Sequence, residues 1–467
     1  MIADRPAPTA LDFTHVFEEQ RRRYRAAPYP MLEERKQKLD RLERALRKKR
    51  AELKIALKTD FGKSFDESEF TEIIVTLAEL KQARLKLATW MKPAAVATPL
   101  SLFGSKAEIR YEPKGVALIL SPSNYPVFLT LVPLIAALAA GNRVIVRPSE
   151  KAPATRDVIA AIIAEAFVPH DVACIGGDVD TAEALLTLPF DHIFFTGSTR
   201  VGKIVMRAAA EHLSSVTLEL GGKSPAIVEA DADIALAASR IAWGKFMNGG
   251  QTCIAPDYVL VHESVERAFI DKTSQSIAKM YGATDLARAT TPDFCRMIDD
   301  LHFARIDGLL GASVRAGAIV EIGGQSDATQ RYIAPTVLSH VDFEAPIMQD
   351  EIFGPVLPVV SYASLDEALA RINSRPKPLA LYAFTKSSPT VERILGGTSA
   401  GGTLINDRFC TSPIRICPSA AAAKAVWAAI TASSASRRFR TSARSCTNRN
   451  AHLRRNLRRR STRKHAA

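Results

Sequence analysis

Between residues 29 and 90 the apolar positions repeat at helical spacing. Leu39, Leu42, Leu46, Leu53 and Leu57 fall three, four or seven residues apart, with Lys, Arg and Glu between them. That period predicts helices with one buried stripe and a solvated, charged opposite face. After Ala107 the period changes. Ile109-Arg-Tyr-Glu112 alternates as a half-exposed strand does, and Gly115-Val-Ala-Leu-Ile-Leu120 reads as a strand buried on both faces. Strands and helices then take turns: a helix over 131–140, a strand over 143–147 stopped by Pro148, and a helix over 155–167. A strand over 192–195, stopped by Thr196-Gly197, and a helix over 201–211 follow. This order predicts an α/β fold with a parallel sheet and helices on both faces. A second α/β unit begins near Gly221, with strands over 225–228 and 258–261 and a helix over 233–247 between them. No internal repeat is visible. Beyond Asp407 the periodicity dissolves into Ala-rich, then Arg-rich, low-complexity sequence.

The chain has 467 residues, 47% apolar and 24% charged. That length suits two or three domains, and that composition excludes a collagen, a disulfide scaffold or a wholly disordered chain. The longest apolar stretch, residues 127–141, contains Pro133 and falls short of the ~20 residues a membrane-spanning helix needs. No apolar signal segment opens the sequence, so a cytoplasmic location with reduced thiols and no membrane partner is expected. Cysteine spacing matches no metal site. The net charge of +13 is unevenly placed. Residues 408–467 hold 15 of the 62 Lys and Arg and none of the 49 Asp and Glu, leaving 47 basic against 49 acidic groups before them. A basic tail binds polyanions nonspecifically, but the body is near neutral, so no specific nucleic-acid partner is expected.

Four short segments carry chemistry. Gly197-Ser-Thr-Arg-Val-Gly202 follows a strand and opens a helix, where backbone N–H groups hold a pyrophosphate. It lacks the middle Gly of a dinucleotide fingerprint, and alone such a segment is more often a capped turn than a cofactor site. Cys253, in Asn248-Gly-Gly-Gln-Thr-Cys-Ile254, is a thiol beside a Gly pair that lets a substrate approach closely. A lone Cys is also an ordinary small buried residue. Glu219, in Leu218-Glu-Leu-Gly-Gly-Lys-Ser-Pro225, is poorly solvated between leucines, which raises a carboxyl toward general-base range. An exposed strand end would leave it unshifted. Asn124, in Ser121-Pro-Ser-Asn-Tyr-Pro126, is an amide framed by two prolines after a buried strand and can donate to an oxyanion. Asn also favours turns for local reasons.

Together these segments resemble the NAD(P)-dependent aldehyde dehydrogenase superfamily. The resemblance runs from about residue 30 to Asp407. Its carriers are Ser-Asn-Tyr-Pro (123–126), Arg-Pro-Ser-Glu (147–150), Phe-Thr-Gly-Ser-Thr-x-x-Gly (195–202) and Leu-Glu-Leu-Gly-Gly-Lys-Ser-Pro (218–225). Gly-Gln-Thr-Cys (250–253), Glu-Ile-Phe-Gly-Pro (351–355) and Gly-Gly-x-x-x-Asn-Asp (401–407) complete them. The resemblance implies that Cys253 attacks the aldehyde, that Asn124 and the Cys253 N–H hold the oxyanion, and that Glu219 activates the hydrolytic water. It implies NAD, with NADP as the alternative, held by Arg147, Ser149 and Glu150 on the adenine side. Gly197, Ser198 and Gly202 would meet the pyrophosphate, and Glu351 with Phe353 the nicotinamide ribose; no metal is implied. The implied domains are helices and a nucleotide-binding domain over 1–220, with a bridge arm over 107–114, and a catalytic domain over 221–407. Leu11-Asp-Phe-Thr-His-Val-Phe17, Arg41-Leu-Glu-Arg44 and Cys253-Ile-Ala-Pro-Asp-Tyr258 are most similar to the coniferyl aldehyde dehydrogenase subgroup, within a class 3 type that forms homodimers. A semialdehyde or acylating dehydrogenase is the neighbouring reading, and Glu219, which serves hydrolysis, argues against transfer to coenzyme A.

Three departures stand out. Ser123 replaces the usual Trp, and Arg147 the usual Lys, which keeps the cation but changes its hydrogen-bond geometry. After Asp407 the subgroup's Pro-Phe-Gly-Gly and Tyr-His-Gly segments are missing. Read one register over, the genetic code is compatible with that lost sequence. Phe409-Cys410 admits CTG for Leu, Cys410-Thr411 CAC for His, Pro413-Ile414 AAT for Asn and Pro418-Ser419 TTC for Phe. The tail therefore reads as out-of-frame, GC-rich coding sequence. A disordered tail, an unpaired sheet edge and poor solubility or low activity are the expected consequences. A catalytically impaired remnant is thus the competing functional reading.

Overall fold

A computed structural model describes residues 13–97 and 107–407 and the backbone of residues 446–447. The chain divides after Leu220 into two compact units.

The first unit opens with helices α1 (Phe13–Ala26), α2 (Leu32–Lys48), α3 (Arg50–Phe61) and α4 (Phe65–Ser68), a π turn (Glu69–Ile73) and α5 (Ile74–Trp90). Strands β1 (Ala94–Val96) and β2 (Ala107–Ile109) pair antiparallel as an exposed ribbon. Then come β3 (Val116–Leu120), α6 (Phe128–Ala140), β4 (Arg143–Arg147), α7 (Pro153–Ala166) and β5 (Val172–Cys174). The unit closes with α8 (Val179–Leu186), β6 (His192–Gly197), α9 (Thr199–Glu211) and β7 (Ser215–Leu220). The sheet runs β5-β4-β3-β6-β7, every pair parallel. All five residues of β3 are buried, as a central strand covered on both faces requires. Helix α1 packs Phe17 edge-to-face on Phe190 at 4.8 Å, and its buried Gln20 Nε2 donates to the carbonyls of Val144 (3.1 Å) and Pro169 (2.8 Å).

The second unit contains β8 (Pro225–Val228), α10 (Ile234–Phe246), β9 (Tyr258–His262), α11 (Glu266–Tyr281), α12 (Asp285–Thr290), α13 (Asp300–Arg315) and β10 (Ile319–Ile322). It continues with β11 (Ser326–Asp327), β12 (Tyr332–Ile333), β13 (Thr336–Ser339), α14 (Pro346–Gln349) and β14 (Val356–Tyr362). Last are α15 (Leu365–Asn373), β15 (Ala380–Phe384), α16 (Ser388–Gly397), β16 (Gly402–Ile405) and β17 (Cys446–Thr447). Its large sheet runs β10-β13-β14-β9-β8-β15-β16-β17, parallel except for β10 at one edge. Buried side chains fill both faces of that sheet.

The structure corrects several sequence expectations. The strand anticipated over 109–112 ends at Ile109, because its partner Ala94 follows Pro93, which has no N–H to continue the ladder. Helix α6 begins at Phe128 rather than 131, and β6 runs through Thr196-Gly197 because pairing with β7 continues to Leu220. Elements α1, β5, α8 and β7 went unforeseen. The sheet edge expected to be unpaired is partly paired, since Leu404 and Ile405 sit opposite Cys446 and Thr447. The order and frame of the rest of the tail lie outside the described residues, as do residues 11–12 of the subgroup motif.

Candidate active site

The candidate residues of the first unit gather at the carboxyl ends of its parallel strands. Ser121 leaves β3 with its N–H on the Arg147 carbonyl (3.0 Å), and the turn that follows carries buried Asn124. Beyond β4, Arg147 Nη1 pairs with Glu150 at 2.7 Å, while Nη2 donates to the carbonyls of Gly177 (3.2 Å) and Asp178 (2.7 Å). Ser149 is buried, its Oγ accepting the Lys151 N–H at 3.3 Å. Strand β6 ends at Gly197. Ser198 caps α9, accepting the Val201 N–H, and the helix start is open to solvent with no acidic residue in its first turn. A Cβ on Gly202 would lie 2.8 Å from Leu220 Cδ2, so its lack of a side chain lets α9 approach β7. Glu219, opposite Thr196 on β7, is half-buried, and burial pushes its carboxyl up to about 7.

These groups fit a dinucleotide. A helix start free of competing acid suits a pyrophosphate, and a carboxylate beyond the second strand suits a ribose. Three buried polar atoms, Arg147 Nε, Ser121 Oγ and Thr196 Oγ1, have no partner among the described residues.

In the second unit the candidates lie at the opposite edge, before the strands begin. Asn248, Gly249 and Gly250 take left-handed φ values of 55°, 60° and 75° in succession, turning α10 back toward β9. Buried Gln251 locks that turn: its Nε2 donates to the carbonyls of Asn248 (3.0 Å) and Arg296 (3.1 Å), and its Oε1 accepts the Ile298 N–H (3.0 Å). Half-buried Cys253 follows, a thiol outside any disulfide. The Tyr382 hydroxyl donates to the next carbonyl, that of Ile254. A Cβ on Gly250 would collide with the Gly354 carbonyl, so this loop lies backbone to backbone against the one bearing Glu351 and Phe353. Phe353 is itself left-handed, at φ 51°, a conformation that a bulky residue keeps only under surrounding constraint.

That constraint is a cluster the sequence reading did not identify. Lys223 Nζ donates to Asp257 Oδ2 (2.6 Å) and to the carbonyls of Ile347 (2.8 Å) and Asp350 (2.9 Å). Asp257 Oδ1 accepts the Ile352 N–H (3.1 Å) and lies 3.7 Å from fully buried Lys245 Nζ. Arg305 Nη2 donates to the Ile352 carbonyl at 2.6 Å. Desolvation pushes the Lys245 ammonium down to about 8. Glu351, raised to about 8 by desolvation and by the charge of Asp257, accepts the Gly222 N–H. Lys223 and Asp257 sit inside two of the motifs quoted above, but 34 residues apart, and nothing local in the sequence signals that they meet.

The sequence matches the Aldehyde dehydrogenase family over residues 1–418. The chain belongs to the aldehyde dehydrogenase family. It is 46% identical over 373 residues to the 4,4'-diaponeurosporen-aldehyde dehydrogenase of Staphylococcus aureus (strain NCTC 8325 / PS 47), covering 80% of each chain. It is also 46% identical over 375 residues to aldehyde dehydrogenase family 3 member B1 of Rattus norvegicus, covering 79% of this chain and 78% of that one. A solved structure described as the substrate-bound state of Staphylococcus aureus AldH superposes with a TM-score of 0.85 at 40% identity, over 90% of this chain and 92% of that one. The protein is accordingly an NAD(P)-dependent oxidoreductase that oxidises aldehydes to acids. Among the described residues, no helix of this aldehyde dehydrogenase is long and apolar enough to cross a membrane.

Proposed function

We propose that this aldehyde dehydrogenase oxidises an aromatic, coniferaldehyde-like aldehyde with NAD, residues 1–220 holding the nucleotide and residues 221–407 supplying the nucleophile. Residues 107–114 serve as a bridge arm. Cys253 attacks the carbonyl carbon as thiolate, and the oxygen becomes an oxyanion to which Asn124 and the Cys253 N–H donate. The nicotinamide, when bound, supplies the hydride acceptor. Loss of hydride leaves an acyl thioester on Cys253. Glu219 takes a proton from water, the hydroxide adds to the thioester, and acid and thiol are released. The observation that carries this reading is the Glu219 carboxyl, raised by burial to about 7, a base that turns over at neutral pH.

Glu150 accepts from the adenine-side ribose, while Ser149 and Ser198 donate to ribose and pyrophosphate beside Gly197 and Gly202. Glu351 and Phe353 meet the nicotinamide ribose. Arg147, paired to Glu150, would be the residue to hold a 2'-phosphate, which keeps NADP as the alternative cofactor. A thiolate mechanism suits a reducing cytoplasm. A class 3-type homodimer belongs to the chain with its reading frame restored. NADH formation with coniferaldehyde, set against 4,4'-diaponeurosporen-aldehyde and acetaldehyde, tests the substrate. Preference for acetaldehyde overturns the aromatic assignment.

The charge of the tail favours a second reading. Fifteen basic and no acidic residues over 408–467 support a frame change near Asp407, which makes the chain an impaired remnant. Resequencing codons 400–420 from independent template decides between a restored and a shifted frame.

A further inference from the structure

Glu72 and Lys63 form an ion pair with both side chains fully enclosed, Nζ to Oε1 at 2.8 Å. Burying two charges is costly, and such a pair persists where its geometry is used. The other carboxylate oxygen shows the use. Glu72 Oε2 accepts the backbone N–H groups of Val127 (3.0 Å) and Phe128 (2.9 Å), the first turn of α6. Helix α6 has no capping side chain and no acidic residue of its own there, so its orphan donors are satisfied by a carboxylate more than fifty residues upstream. Lys63 Nζ, on the other side of the pair, lies 4.6 Å from the centroid of the Tyr125 ring and 5.1 Å from that of Phe61. The Glu72 side chain reaches this spot from the π turn Glu69–Ile73, a helical irregularity of the kind that recurs at functional sites. Burial pushes the Glu72 carboxyl up, while Lys63 and the two N–H groups oppose that shift.

Between Tyr125 and the β3 strand lies Asn124. The turn bearing it is tied at one end by the Ser121 N–H to Arg147 and at the other by the Leu129 N–H on the Tyr125 carbonyl (2.9 Å). We infer that the Lys63–Glu72 pair is a positioning device that fixes the start of α6 and the Tyr125 ring, and thereby aims the Asn124 amide at the oxyanion. The inference rests on the role given to Asn124 above. Both side chains are fully enclosed, so Lys63 and Glu72 act through α6 and Tyr125.

A double-mutant cycle on the full-length chain tests it, using hydrolysis of p-nitrophenyl acetate. That reaction needs the thiolate and an oxyanion donor and no nicotinamide. Asn124→Ala lowers kcat about 100-fold, the effect of one oxyanion donor. Glu72→Gln lowers kcat about tenfold with KM within about twofold, and Asn124→Ala/Glu72→Gln is no slower than Asn124→Ala alone. Where Glu72→Gln alone does not fold, Lys63→Met/Glu72→Gln removes both charges together and takes its place in the cycle. A folded Glu72→Gln at the parent rate overturns the inference, as does a double variant slower by the product of the two single losses. An unchanged rate in Asn124→Ala overturns the oxyanion role itself, and with it the inference, and is told apart by that single variant.

Discussion

The two units carry their candidate residues at opposite edges of parallel sheets, and hold them by opposite means. In the first, the candidates follow the carboxyl ends of β3, β4 and β6, or lie near that of β7, beside an open helix start and a closely packed glycine. In the second, Cys253, Glu351 and Phe353 precede β9 and β14, where no helix start is supplied by the strand-to-helix order. Charged side chains replace it: Lys223, Asp257 and Arg305 grip carbonyls and an N–H of residues 347–352, with buried Lys245 3.7 Å behind Asp257. A site on strand ends takes its order from the sheet, whereas a site ahead of the strands needs its own scaffold.

Substitutions separate these two modes. The largest effect is expected from Cys253→Ala, which removes the nucleophile and lowers kcat by about 10⁴-fold or more in an NADH-formation assay. Equal rates in variant and parent would sink the mechanism. Glu219→Gln comes next, with turnover down about 100- to 1,000-fold where hydrolysis limits the rate. Its pH profile carries the sign. The base works ionised, so the parent's kcat rises with pH through about 7 and the variant's rising limb is lost; an unchanged limb assigns the base elsewhere. Asp257→Ala strips the counter-charge from Lys245 and Lys223 and is expected to cost about 3–5 kcal/mol in urea unfolding, because two enclosed ammonium groups lose their partner. Smallest is Gly202→Val, which forces Leu220 away from α9 at about 1–3 kcal/mol and weakens NADH binding by fluorescence titration, leaving ester hydrolysis at Cys253 unchanged.

The same contrast explains what the sequence revealed. Strands β3, β4 and β8 were legible because buried parallel strands centre on unbroken apolar runs, here with a Gly or Pro close by. Helix α1 was not, since Val16, Phe17 and Gln20 are its only buried residues in a strongly charged stretch. The start of α6 was misplaced for a physical reason: its cap comes from Glu72, and local spacing carries no trace of a partner so distant in the chain. Around the site, motif residues stood out by type and spacing, while the charges that hold them did not. Lys223 and Asp257 are 34 residues apart and read separately as ordinary polar positions, although together they clamp the loop before β14.

The most direct test of the central claim is intact and peptide mass spectrometry of Glu219→Gln, quenched after mixing with NAD and coniferaldehyde. The account predicts one equivalent of NADH and one acyl group per chain, on the peptide containing Cys253, because oxidation proceeds while hydrolysis stalls. NADH without an adduct, or an acyl group on Cys174 or Cys295 instead, would contradict it.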